Sequence, residues 1–185
     1  MFIDELTVAL TLRQLATELK VDYGGGSITL NRHERAYELN LYPPAFVCGS
    51  KPMVQIPARF ELKTDVSSFP AFSVRKNDVI DWISEHIFFQ HDFQVQDEFF
   101  DGKYFIDVQD TAWAQKYFVR AKITTCISHI LGAGFDRVFS IEKELKAAKL
   151  IKSTDDCLSS DALERAMEEM SLLITKTFDG TSRSD

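Results

Sequence analysis

Tyr37, Leu39 and Leu41 occupy every second position of "AYELNLY", and the same alternation returns at Phe60 and Leu62 and at Tyr104, Ile106 and Val108. A period of two places such residues on one face of an extended strand and their neighbours on the other. No other feature constrains the fold of this chain as strongly. Short polar turns join the segments, whereas parallel pairing needs crossovers of roughly a dozen residues or more, so the strands are expected to pair antiparallel. The fold class that follows is α+β: a mainly antiparallel sheet with packed helices and a C-terminal amphipathic helix.

Local signals place the remaining elements. In "TLRQLATELK", Leu12, Leu15, Ala16 and Leu19 recur at helical spacing, with Thr11 and Gln14 as a capping box and a pattern that extends back through Val8 to Asp4. Gly24, Gly25 and Gly26 then end the helix and supply positive φ before "SITL", which forms a hairpin with "AYELNLY" closed by Pro43 and Pro44. Val54 and Ile56 alternate as well, while Pro52, Pro57 and Pro70 direct this region to edge strands and extended connections. Val79, Ile83 and Ile87 follow Asn77 at helical spacing, and "HDFQV" returns to strand.

Asp110 is placed to cap a helix carrying Trp113, Tyr117, Phe118 and Ala121, whose apolar face continues through Val119, Ile123, Ile127 and Ile130 to stop signals at Gly132 and Gly134. "RVFSI" is strand-like, whereas residues 142–151 read as strand or helix. Asp161 and Glu164 open a last helix with Leu163, Ala166, Met167, Met170, Leu173 and Ile174 on one face. Internal repeats and low-complexity tracts are absent from the sequence.

Composition limits the function. Of 185 residues, 45% are hydrophobic and 26% charged, as in compact globular domains. The 15 Phe, 2 Trp and 5 Tyr read as core, with a surface contact patch as the alternative. A net charge of −7 argues against nucleic-acid binding, which draws on clustered cations; the best basic strip is the short "NRHERAY". Cys48, Cys126 and Cys157 form neither a disulfide framework nor a CxxC element and fit reduced thiols in a cytoplasmic protein. No run of about 18 apolar residues marks a transmembrane segment, and the opening, with Asp4 and Glu5 before its apolar residues, is not expected to act as a signal peptide.

Three groups of residues have chemistry to offer. Cys126 and His129 share a helix face at i, i+3, the spacing of a Cys–His nucleophile or half a zinc site; the alternative is a buried thiol beside an exposed imidazole. His86 and His91, beside Glu85 and Asp92, offer metal ligands from an element end, against a plain surface role. Asp97, Glu98 and Asp101 form a carboxylate trio of the kind that supports acid–base work inside a pocket, but with 28 acidic residues such a trio also arises by chance.

"LATELKVDYGGGSITLNRHERAYELNLY" and "QDEFFDGKYFIDVQDTAWAQKYF" together resemble a group of uncharacterised prokaryotic α+β domains. Phe100, Asp101, Phe105, Val108, Asp110 and Ala114 hold the positions that carry the later motif. The resemblance spans residues 12–151 and implies an α+β fold with "GFDRVFSIEKELKAAKLI" as a terminal strand pair, which favours strand over helix in 142–151. Members of the group often sit beside membrane segments, which this sequence lacks, and no activity or catalytic residue comes with the likeness.

The organisation expected is an α+β domain over 1–151, a polar linker over 152–160, a C-terminal helix over 161–178 and a fraying tail over 179–185. The stripe of Leu163, Met167, Met170 and Ile174 needs a partner, because an isolated helix of this length is marginal in water. It is expected outside the main core, on its own domain or on a second copy. The function expected is a non-catalytic module that binds a protein partner, or self-associates through this helix, without cofactor, resident metal or nucleic acid. The alternative is a metal-dependent hydrolase using His86, His91 and nearby carboxylates.

Overall fold

The computed structural model describes residues 5–23, 26–43, 45–47, 54–56, 58–66, 71–77, 93–120, 122–138, 147–153 and 158–178. Its elements run α1 (Glu5–Leu19), β1 (Ser27–Arg32), β2 (Arg35–Tyr42), β3 (Ala45–Val47), β4 (Val54–Ile56), β5 (Arg59–Asp65), β6 (Phe72–Lys76), α2 (Glu98–Asp101), β7 (Tyr104–Val108), α3 (Thr111–Phe118), α4 (Ile123–Gly132), β8 (Arg137–Val138), β9 (Ala147–Ser153) and α5 (Ser160–Phe178). A 7-stranded sheet has the order β1-β2-β5-β9-β8-β6-β7, and β3 and β4 form a separate 2-stranded sheet. Every pairing is antiparallel, so the expected α+β class is the observed one.

Directly paired residues share a face, and the register makes that face apolar. Leu39 opposes Leu62, Leu62 opposes Leu150, Leu150 opposes Val138, and Val138 and Ile106 both oppose Val74. Helices α1, α3, α4 and α5 contribute to the same core, with Leu12, Leu15, Ala16, Tyr117, Ile123, Ile127, Met167 and Met170 all buried. The opposite face carries charge: Lys63 pairs with Glu38 at 2.8 Å, and the buried Lys149 lies 3.7 Å from Glu61. Two arginines lie over rings there, Arg59 over Tyr42 at 4.9 Å and Arg75 over Phe105 at 4.5 Å.

Several boundaries correct the sequence reading. Helix α1 is already formed at Glu5, so Thr11 is interior rather than a cap, and Gln14 Nε2 donates to Glu18 Oε1 at 3.1 Å instead. Nor do the glycines end it. Lys20 takes the left-handed conformation (φ 55), its N–H donates to Thr17 O and that of Val21 to Ala16 O, which satisfies the last carbonyls before the glycines are reached. Gly26 does supply positive φ (87) just before β1, and Gly24 and Gly25 lie outside the described residues. Arg32 pairs with Arg35 across a tight turn whose residues His33 and Glu34 both have positive φ (49 and 61), as a type I′ hairpin requires.

Proline did not confine β5 to an edge. The strand starts at Arg59, beyond Pro57, so its own ladder donors are intact and it lies between β2 and β9. Phe93 donates one bond to Ile106 O at 3.0 Å, but Phe93–Val95 forms no strand. The continuous helix expected past Tyr117 is broken: Lys122 has φ 81, α4 starts afresh at Ile123, and Val119, expected on the apolar face, is 80% exposed. Gly134, with φ +97, follows the end of α4 as expected. The ambiguity over 142–151 resolves as strand for 147–151, because Ala147, Ala148 and Leu150 are buried in β9 between β5 and β8.

Helix α5 is the largest correction. Ser159, not Asp161, caps it: Ser159 Oγ accepts from Ala162 N at 3.2 Å. Its stripe does not lie outside the core, for Leu163, Met167, Met170, Leu173 and Ile174 are all 0% exposed against the chain's own sheet and helices. The Tyr37 hydroxyl donates to Met167 O at 3.2 Å and the Tyr117 hydroxyl to Leu173 O at 3.1 Å, so strand β2 and helix α3 both grip the α5 backbone. Sequence inspection misplaced this helix because a polar approach segment resembles a linker whether the stripe after it packs at home or abroad.

Candidate binding groove

The groups singled out for chemistry are mostly occupied by structure. Asp97 Oδ1 accepts from the backbone N–H groups of Phe99 and Phe100, which makes it the cap of α2. The Asp101 carboxylate accepts from Val95 N at 2.9 Å and Asp97 N at 3.2 Å, tying the preceding loop to the helix. Asp110 Oδ1 accepts from Trp113 N at 2.9 Å, the cap anticipated from its place between strand and helix. Trp113 then stacks on Tyr117 at 4.6 Å, and Phe72 closes the cluster at 5.4 Å from Trp113 and 5.6 Å from Tyr117. Burial pushes the Tyr117 hydroxyl well above the usual phenol range; burial raises that of Tyr37 as well, against the hydrogen bond from Ser171 and the charge of Arg35.

Cys126 and His129 occupy different environments despite their spacing. Cys126 is 4% exposed in the core, whereas His129 is 63% exposed and directs Nδ1 to Glu169 Oε1 on α5 at 2.8 Å. Arg32, from the basic strip, is likewise taken up by α5, with Nε 3.1 Å from Glu164 Oε1. His86 and His91 lie outside the described residues, and among those described no group of three or more His, Cys, Asp or Glu is placed to hold a metal ion. No helix among the described residues is long and apolar enough to cross a membrane.

A broad concavity between two of these helices was not anticipated. Helices α4 and α5 pack against each other, and Ile123, Ile127, Ile130, Leu163, Met167 and Met170 are all buried in the common core. Toward the end of α4 the facing residues turn small, with Ser128, Gly132 and Ala133 across from Ala166, and the helices leave a groove of about 530 Å³. Its floor includes Ile130, and its rim carries the His129–Glu169 pair, Arg165 and Glu168. Among the described residues, Arg165 and Glu168 have no ion-pair partner and face solvent. No motif signals the groove: Ser128 and Gly132, small residues one turn apart, lie on the less buried side of α4.

The volume falls within the roughly 300–1,000 Å³ of ligand sites, and the lining combines the His129–Glu169 pair with the exposed Arg165 and Glu168. No protein family matches the chain, and no curated protein or solved structure matches it.

Proposed function

We propose that this chain is a non-catalytic α+β module that binds a polypeptide partner in the groove between α4 and α5. The observation carrying this reading is the groove itself, with a floor of small and apolar residues and a rim of exposed charge. That layout parallels the apolar centre and polar edge of protein-binding surfaces. Leu172, one turn along α5 from Glu168, is 44% exposed. The stripe expected to mediate self-association is committed to the core, so association through α5 would use its outer side together with the groove. An acidic chain and an Arg32 held by Glu164 both weigh against a nucleic-acid partner.

The test uses Gly132→Leu. A Cβ at Gly132 meets nothing within 4 Å and its φ is not positive, so the substitution fills the groove without backbone strain. Tagged wild-type and Gly132→Leu proteins are used to capture partners from a lysate of the source cells. A polypeptide retained in proportion by wild type and lost by the variant supports the reading. Equal capture by both places binding elsewhere and rejects it.

A further inference from the structure

We infer that the partner offers this groove a lysine or arginine side chain flanked by apolar residues. The inference rests on reading the groove as a polypeptide site and adds the chemistry of the occupant. Glu168 and Glu169 bring negative charge to the rim. Glu168 is exposed and has no ion-pair partner among the described residues, so a cation reaching it breaks no existing contact.

The floor supplies the rest of the fit. Gly132 and Ala133 are small and exposed beside the nearly buried Ile130 and Ala166, a surface against which the methylene stem of Lys or Arg packs while its charged head stays at the wet rim. At longer range, a chain of net charge −7 attracts basic partners and slows the approach of acidic ones. Arg165 sets the limit. Its guanidinium, without an ion-pair partner among the described residues, repels a second cation, so the site favours a single basic residue between apolar neighbours over a polybasic tract.

Panning a phage library of random heptapeptides against the immobilised full chain tests this. The expected outcome is enrichment of peptides in which Lys or Arg adjoins Leu, Ile, Val or Phe. Their binding should disappear with Gly132→Leu and weaken about two- to fivefold with Glu168→Gln at low salt, the range of an exposed ion pair, with a smaller effect at high salt. Enriched peptides that need the groove but carry no basic residue, or that ignore Glu168→Gln, overturn the inference and leave the groove reading standing. Failure to enrich any peptide, or enrichment of peptides indifferent to Gly132→Leu, overturns both.

Discussion

Deleting α5 is expected to unfold the chain rather than release a folded remainder. Leu163, Met167, Met170, Leu173 and Ile174 are each 0% exposed. At about 1.5–3 kcal/mol for each large apolar side chain buried, the stripe contributes about 8–15 kcal/mol, as much as the whole stability of a typical domain. The hydroxyl bonds from Tyr37 and Tyr117 to the α5 backbone add about 0.5–1.5 kcal/mol each. A chain ending at Leu158 should therefore lose its cooperative thermal transition and its near-ultraviolet dichroism. Met170→Ala gives the graded version, with a loss of about 2–5 kcal/mol. At about 2–4 °C per kcal/mol for a chain of this size, its melting temperature should fall by about 4–20 °C. A truncated chain that melts cooperatively with native dichroism, or a Met170→Ala protein that melts within a degree of wild type, would refute the placement of α5 in the core.

Other consequences can be checked separately. Asp110→Ala removes the bond to Trp113 N and should cost about 0.5–2 kcal/mol by urea denaturation. His33→Asn combined with Glu34→Gly puts residues suited to positive φ into the tight hairpin turn and should raise stability by roughly 1 kcal/mol. Because the Tyr37 and Tyr117 hydroxyls titrate higher folded than unfolded, their contribution is complete below the unfolded phenol value of about 10 and declines above it by up to about 1.4 kcal/mol per pH unit for each. Tyr117→Phe should flatten that alkaline loss in denaturation curves taken across this window. Metal analysis of the purified chain should find no stoichiometric divalent ion; a metal that is lost on His86→Ala would favour the hydrolase alternative.

The strands were legible because their evidence is local. Period two at Tyr37, Leu39 and Leu41 fixes which side chains face inward, and all three are buried. Asp110 was legible as a cap for the same reason, since cap and first turn are neighbours in sequence. Signals failed where the deciding contact is distant. The end of α1 is set by backbone bonds that let Lys20 adopt a conformation usually left to glycine, which residue type alone does not disclose. Helix α5 could be recognised as amphipathic, but its partner is set by Tyr37 and Tyr117, about 130 and 56 residues away along the chain. The groove was the least legible feature. It arises where small residues on α4 meet Ala166 on α5, and no motif within either helix announces such a meeting.

Photo-crosslinking from the rim tests the central claim, that the α4–α5 groove holds a polypeptide partner, most directly. A photoreactive phenylalanine analogue is placed at Arg165, exposed on the rim, and in a parallel protein at Leu10, which is 57% exposed on α1 and outside the groove. Illumination in the source cells should give a discrete adduct from position 165, containing a peptide with Lys or Arg among apolar residues, and none from position 10. The same adducts from both positions, or none from position 165, would contradict the account.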